Sequence, residues 1–235
     1  MHLGELAKAT FVRRINRFAA LVCLKNEFIL VHIPNSARMG ELLISDTTCY
    51  LSPAQSNQRK TKYTLTLVEY TPLSSTKKPY LVCVDSHMAN KVFWEAWKEG
   101  KIAALQKYQH AKREVAIERS RIDFAFFNDL ETCFVEIKSV NLVTDKMAMF
   151  PDAPTSRGVR HIRDLISATS NGNAGMIVFI VLRSDANDFK PNIRQDPSFY
   201  QEIINAQNAG IRILCYSCTV TKKNLRLSQE IPVQI

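Results

Sequence analysis

From Ala9 to about Ser86 the apolar positions fall into short runs or strict alternation, and the polar positions between them have the chemistry of turns. The runs are Phe11 to Ala20, Leu21 to Leu24, Phe28 to Ile33, Cys49 to Leu51, Tyr63 to Tyr70 and Tyr80 to Val84. Lys25-Asn26, Pro34-Asn35-Ser36, Ser52-Pro53 and the stretch Pro72 to Pro79 separate them. Short strands at this spacing predict a small antiparallel barrel or sandwich, with an OB-like barrel as the first choice. The pattern changes at Met88 to Lys107. There Val92, Phe93, Ala96 and Trp97 recur at helical spacing and Gly100 stands where a helix would stop, which predicts a joining helix.

Beyond the joining helix the elements alternate. A strand is expected from about Val115-Ala116 through Phe127, a second over Thr132–Val140, and then a helix from about Ser156 to Thr169. A buried strand Met176–Leu182 follows, then a helix with Asp196-Pro197 at its N-cap and first position that ends near Gly210, then a strand Ile211–Tyr216. Alternation of this kind implies a mixed sheet with a right-handed crossover between its later strands. The expected class is α/β with an all-β N-terminal part: residues 1–86 a small barrel, residues 87–235 a mixed-sheet α/β domain. No internal repeat or low-complexity tract interrupts either part.

The chemistry concentrates in one hairpin. Ser120 to Phe127 and Thr132 to Lys138 flank the turn residues Asn128-Asp129-Leu130-Glu131. If Phe127 pairs with Thr132, counting back along both strands sets Asp123 opposite Glu136, and the two-residue period puts Lys138 on the face of Glu136. Opposed residues have Cβ atoms about 4.5–5.5 Å apart, so two carboxylates there either repel or share a cation. Oxygen ligands of this kind suit Mg2+ or Mn2+, and a neighbouring lysine can orient water or neutralise charge on a phosphate. An ordinary exposed Glu–Lys strand face is the alternative, but the other face, Ile122, Phe124, Phe126, Val135 and Ile137, is strongly apolar. Glu114, just upstream, is a candidate third metal carboxylate. Arg157 and His161, one helical turn apart, could contact phosphate together.

Charge changes the picture of the partner. The chain has a formal net charge of +9, net +5 over residues 1–86 and net +4 over the rest, so positive charge is denser in the barrel. Such a balance suits a polyanion, because neutralising phosphates releases counterions. Arg13, Arg14 and Arg17 flank Phe11 and Phe18, Arg59, Lys60 and Lys62 precede Tyr63, and Arg38 follows Asn35 in a turn. With Arg121 they are candidate nucleic-acid contacts, against the plainer reading of a solvated strand face. No apolar run reaches the length of a membrane span and the first residues lack the apolar core of a secretory signal, so a cytoplasmic protein is expected. Six scattered cysteines read as reduced thiols, and Cys215-x-x-Cys218 has no second pair to complete a zinc site.

The segments PNSARMGELL, RKTKYTL, SRIDF, VEIKSV, MFPDAPTSRGVRHI and DPSFYQEIINAQNAGIRILCY, in this order over nearly the whole chain, resemble the sugar fermentation stimulation protein family, SfsA. The resemblance implies an N-terminal OB-like domain and a restriction-endonuclease-like C-terminal domain of the PD-(D/E)xK kind. It implies Asp123 and Glu136 as metal carboxylates, Lys138 as the catalytic lysine and Glu114 as a further carboxylate. Ile122 stands where the proline of the motif's name would be. Ala37 stands where family members usually have glycine, which would be costly if that position needs positive φ. The family is described as binding DNA without strong sequence preference and as regulating sugar use, including maltose metabolism.

Three functions follow as expectations. The first is a sequence-nonspecific DNA-binding protein that hydrolyses phosphodiesters with Mg2+ or Mn2+. The second is a non-catalytic DNA-binding regulator of sugar (maltose) metabolism that keeps only the nuclease scaffold. The third is single-strand or RNA handling by the barrel. A homodimer is compatible with each, and no small-molecule cofactor or membrane partner is expected.

Overall fold

The computed structural model describes residues 1–54, 58–72, 79–170 and 172–235. Six strands build the first part: β1 (Ala7–Asn16), β2 (Ala19–Leu24), β3 (Glu27–His32), β4 (Thr48–Pro53), β5 (Tyr63–Tyr70) and β6 (Tyr80–Cys83). The first five close into a ring in the order β1-β2-β3-β5-β4-β1, sealed by one parallel bridge between His32 and Thr64, and β6 adds to the outside of β5. This is an OB-like barrel. Alternation buries one side of each strand, so Phe11, Val22, Val31, Leu51, Leu65 and Val68 fill the interior. Two register shifts bend β1, letting one long strand pair with both β2 and β4. The predicted turn Lys25-Asn26 has φ of 51° and 67°, the double left-handed geometry that matches strand twist in a two-residue hairpin. Positive φ after Pro34-Asn35 falls on Met39 (50°) rather than Ala37, so the alanine is under no such strain.

The second part opens with α1 (His87–Lys98). It continues with β7 (His110–Ile117), β8 (Ser120–Phe127), β9 (Thr132–Val140), β10 (Val143–Thr144), β11 (Met147–Phe150), α2 (Ser156–Thr169) and β12 (Ala174–Val181). It closes with β13 (Asp188–Pro191), α3 (Pro197–Asn208), β14 (Arg212–Val220) and β15 (Leu225–Glu230). The main sheet runs β15-β14-β12-β9-β8-β7, with β9, β12 and β14 parallel and the outer strands antiparallel. α1 packs Phe93 against Phe124, Phe126 and Val178 on one face. α2 and α3 pack Ile162, Leu165, Phe199 and Ile203 against Ile177 and Phe179 on the other. The fold class is thus a mixed-sheet α/β domain behind an OB-like barrel. Cys215 belongs to the core on one face of this sheet and Cys218 to the core on the other.

Several expectations need correction. The strand expected through Val115–Phe127 is the hairpin β7–β8, turned at Glu118-Arg119 with Glu118 at φ 45°. Within the stretch Met88 to Lys107 the joining helix stops at Lys98, beside Gly100 at φ 69° where the stop was expected, and Ala103–Leu105 beyond it form only a short 3-10 turn. The small sheet β10-β11-β13 and the edge strand β15 lacked a period long enough to register.

Barrel and α/β domain share packing. Leu3, Tyr50, Leu67 and Cys83 join the cluster around Phe93 and Phe124. Cys83 N–H donates to the Leu182 carbonyl at 2.9 Å, and Asn35 Nδ2 donates to Asn141 Oδ1 at 2.9 Å. Among the described residues no helix is long and apolar enough to cross a membrane.

Candidate active site

The geometry begins with the β8–β9 ladder, which pairs Phe127 with Thr132 and runs to Phe124–Val135. There β8 and β9 part, while β9 continues beside β12 as far as Val140. The Asp123 side chain fills the gap: Oδ2 accepts from the Ile137 N–H at 2.7 Å and Oδ1 from Asn90 Nδ2, on α1, at 2.6 Å. One residue past the end of the ladder, Glu136 is 3% exposed. Its Oε1 accepts from Lys138 Nζ at 2.7 Å and from His161 Nδ1 at 2.7 Å. Arg157 Nε donates to His161 Nε2 at 3.2 Å, which leaves the ring proton on Nδ1, aimed at Glu136. The Thr155 hydroxyl accepts from the Gly158 N–H at 3.0 Å and fixes the helix start that carries both residues.

Glu136 Oε2 is buried without a hydrogen-bond partner. A buried acceptor left so costs about 1–3 kcal/mol, more for a charged group. Electrostatics agree: burial, then the charge of Glu136, push the Asp123 carboxyl up to about 6. Burial acts on Glu136 in the same sense, but Lys138 and His161 outweigh it and hold that carboxyl below its ordinary value. Two neighbouring carboxylates, Asp123 raised first by burial and then by Glu136, with one Glu136 oxygen unsatisfied, make a donor set whose chemistry suits a cation. Such a set fits a hard divalent ion that keeps some of its waters.

A cleft of about 1180 Å³ lies between the barrel and the α/β domain and contains this cluster. Of the residues singled out from sequence, Arg59, Glu114, Asp123, Glu136, Lys138, Arg157 and His161 line it. Glu114 sits on β7 at φ 56°, exposed, with its carboxylate 3.7 Å from Arg121. Among the described residues no three His, Cys, Asp or Glu side chains converge as an ion site, so Glu114 shares the cleft without joining Asp123 and Glu136. His161 has both nitrogens engaged by protein and is 5% exposed, a position for orienting Glu136 rather than for touching a phosphate. Asn35 is also turned inward: its amide donates to Val84 O and Asn141 Oδ1 and accepts from Ala37 N–H, so it ties the two parts together. Arg13, Arg17, Arg38, Lys60, Lys62 and Arg121 are exposed but do not line the cleft. Arg14 is spent on the carbonyls of Ala37, Arg38, Arg17 and Asn35. The sequence reading missed Asn90, which anchors Asp123, and the cleft-lining His32, His87, Lys91 and Arg113. Nothing in a one-dimensional pattern marks them, because they meet only when α1 docks under the end of the barrel.

Comparison with known proteins places this geometry. The model of the sugar fermentation stimulation protein RE domain matches residues 87–224, and that of the SfsA N-terminal OB domain matches residues 12–84. The chain belongs to the SfsA family. A sugar fermentation stimulation protein homolog of Desulforamulus reducens is 37% identical over 233 residues, covering 99% of this chain and 94% of the relative. One of Clostridium tetani is 38% identical over 230 residues, covering 97% of each. The structure of Pyrococcus furiosus SfsA in complex with Ca2+ superposes with a TM-score of 0.89 at 29% identity, over 100% of this chain and 98% of that one. Family and fold therefore agree from end to end.

Proposed function

We propose that the chain binds nucleic acid without sequence selection and hydrolyses its phosphodiester bonds with a divalent cation, Mg2+ or Mn2+, held by Asp123 and Glu136. The observation that carries this reading is the buried, partnerless Oε2 of Glu136 beside Asp123, with Lys138 on the same carboxylate. That Pyrococcus furiosus SfsA was solved in complex with Ca2+, another oxygen-seeking divalent ion, supports it. When bound, the cation would supply Lewis-acid stabilisation of phosphate oxygens and a more acidic water. The chain's own groups set the geometry. Asn90 and the Ile137 N–H hold Asp123, His161 backed by Arg157 holds Glu136, and Lys138 offers its amine to the charge that grows on the phosphate. The net charge of +9 favours a phosphate backbone as ligand.

The barrel favours a strand whose bases are accessible. Phe28 is 68% and Leu30 53% exposed on β3, and alternation puts them on the face that ends at His32 in the cleft. Among the described residues no helix-turn-helix module supplies base reading, so regulation of sugar metabolism would need a partner or DNA architecture.

The test incubates the protein with supercoiled, linear and single-stranded DNA plus Mg2+ or Mn2+, beside Asp123→Ala and Lys138→Ala. The expected outcome is metal-dependent cleavage by the wild type, lost in both variants while DNA binding persists. Binding with no metal-dependent cleavage on any substrate removes the hydrolase and leaves the non-catalytic regulator.

A further inference from the structure

The cleft has a second wall whose chemistry the carboxylate cluster does not use. β3 ends at His32, and the bridge to Thr64 sets that histidine beside β5. Arg59 Nη1 donates to Thr64 Oγ1 at 3.2 Å, which brings the guanidinium to the same corner. Two residues past His32, the Pro34 carbonyl accepts from Ser86 Oγ at 2.6 Å and from Ser86 N–H at 3.2 Å, tying the start of α1 to the end of β3. His87 and Lys91 follow, four residues apart and so on one face of α1, and both line the cleft. Asp85 brings a carboxylate to this corner. It accepts from the His87 N–H at 3.0 Å and pairs with the His87 ring at 3.3 Å. Among the described residues Arg59 and Lys91 make no ion pair, and the N-terminal end of α1 adds its partial positive charge.

The two walls are linked by α1 itself. Asn90 holds Asp123 while its neighbour Lys91 and the preceding turn's His87 face the cationic corner. Asn90 stands between His87, about 4.5 Å before it along the axis at about 1.5 Å per residue, and its neighbour Lys91, so the corner and the carboxylates adjoin in one cleft.

We infer that His32, Arg59, His87 and Lys91 form a phosphate subsite that holds the phosphate next to the scissile one and so positions the reacting bond over Asp123 and Glu136. The inference rests on the nucleic-acid reading above and names the part of the ligand recognised: a strand phosphate, either an internal diester or a terminal monoester. These four side chains are positioning residues. They act through the strand's own stiffness and touch no reacting atom.

The experiment measures binding of a fluorescent single-stranded oligonucleotide to the metal-free, chelated protein as a function of salt, for wild type, Arg59→Ala/Lys91→Ala and the exposed control Lys190→Ala/Arg194→Ala. Loss of two phosphate contacts should weaken binding about tenfold near 0.1 M salt and reduce the slope of log affinity against log salt by about 1.4. The control should leave both unchanged, and with Mg2+ the cleft variant should raise KM more than it lowers kcat. Lys91→Gln, at an exposed helical position, provides the single-charge version should the double variant melt early. A preference for phosphate-ended over hydroxyl-ended strands that vanishes in the variant identifies a terminal phosphate; equal binding of the two, with the salt effect intact, identifies an internal one. An unchanged salt slope in a variant of a protein that binds and cleaves overturns the subsite and spares the hydrolase, as does equal loss in the control. A wild type that binds no nucleic acid overturns both.

Discussion

Glu136 carries two donors on one oxygen and none on the other, and that asymmetry, together with the raised Asp123, gives the site a measurable energetic signature. A carboxyl whose native pKa is about 6 instead of 3.8 binds its proton more tightly folded than unfolded. Stability is therefore highest below the unfolded value, falls as pH rises from about 4 to about 6, and stays reduced above that, by about 3 kcal/mol at most. Glu136, held below its ordinary value, contributes in the opposite sense, and its share is lost on acidification. Asp123→Asn should accordingly raise the melting temperature of the chelated protein at pH 7.5 relative to wild type, with the gap closing towards pH 4. Mg2+, Mn2+ or Ca2+ should raise the melting temperature of the wild type and leave this variant unchanged, since an ion bound only by the native state stabilises it by mass action. A melt of the wild type that ignores all three ions would contradict a shared cation at these carboxylates. The sequence makes the Asp123, Glu136 and Lys138 set legible because one short loop sets the hairpin register up to Phe124–Val135 and a two-residue period puts Glu136 and Lys138 on one face. It does not reveal Asn90, whose partner lies 33 positions away.

At the scale of the element, α2 is the part of the site with least tolerance. Its N-cap Thr155 accepts from Gly158, and a Cβ on Gly158 would lie 2.8 Å from Thr155 Cγ2, 2.9 Å from Thr155 Oγ1 and 3.3 Å from Phe199. Gly158→Ala must therefore break the cap or push α2 away from α3, taking His161 off Glu136. Cleavage should drop at least tenfold with a lowered melting temperature, whereas Thr155→Ala, which removes the cap alone, should cost about 1 kcal/mol. Activity retained in full by Gly158→Ala would show that the His161 contact is dispensable. On β3 the exposed Phe28 offers an aromatic face, and Phe28→Ala should weaken binding of single strands by about 1–3 kcal/mol per lost stack while leaving duplex binding nearly unchanged. Competition titrations with the two forms read the difference. α3 was readable in advance from Asp196-Pro197 at its start, and α2 from the apolar stripe of Val159, Ile162, Leu165 and Ile166, whereas the Thr155 cap of α2 emerged only in the structure. The β7–β8 hairpin was not, because Glu118 and Arg119 are not turn formers by type and the left-handed Glu118 is imposed by the pairing of the strands.

For the whole molecule, the cleft exists because barrel and α/β domain are held in register by buried polar groups. Asn35 reaches Asn141 and Val84, and Asn141 reaches the Cys83 carbonyl at 2.7 Å. Arg183, fully buried, binds Asp185 and the Asn141 carbonyl and lies 4.4 Å from the centre of the Tyr70 ring. Asn35→Ala strands partners in this network at about 1–3 kcal/mol for each buried group left unpaired. Calorimetry should show a lower or split melting transition, and KM for nucleic acid should rise because the two walls of the cleft lose their fixed spacing. A single unshifted transition would mean that apolar packing alone joins the parts. The sequence by itself determined the two-part architecture, the barrel, the principal helices and the hairpin register as far as Phe124–Val135, because periodicity, caps and hairpin loops are local, while the strands part before Asp123 and Glu136 can pair. Only the tertiary structure decided the rest. It turned Asn35 and His161 inward, left Glu114 with Arg121, and gathered His32, Arg59, His87 and Lys91 at one corner, since the docking of α1 beneath the barrel joins residues that no local period relates.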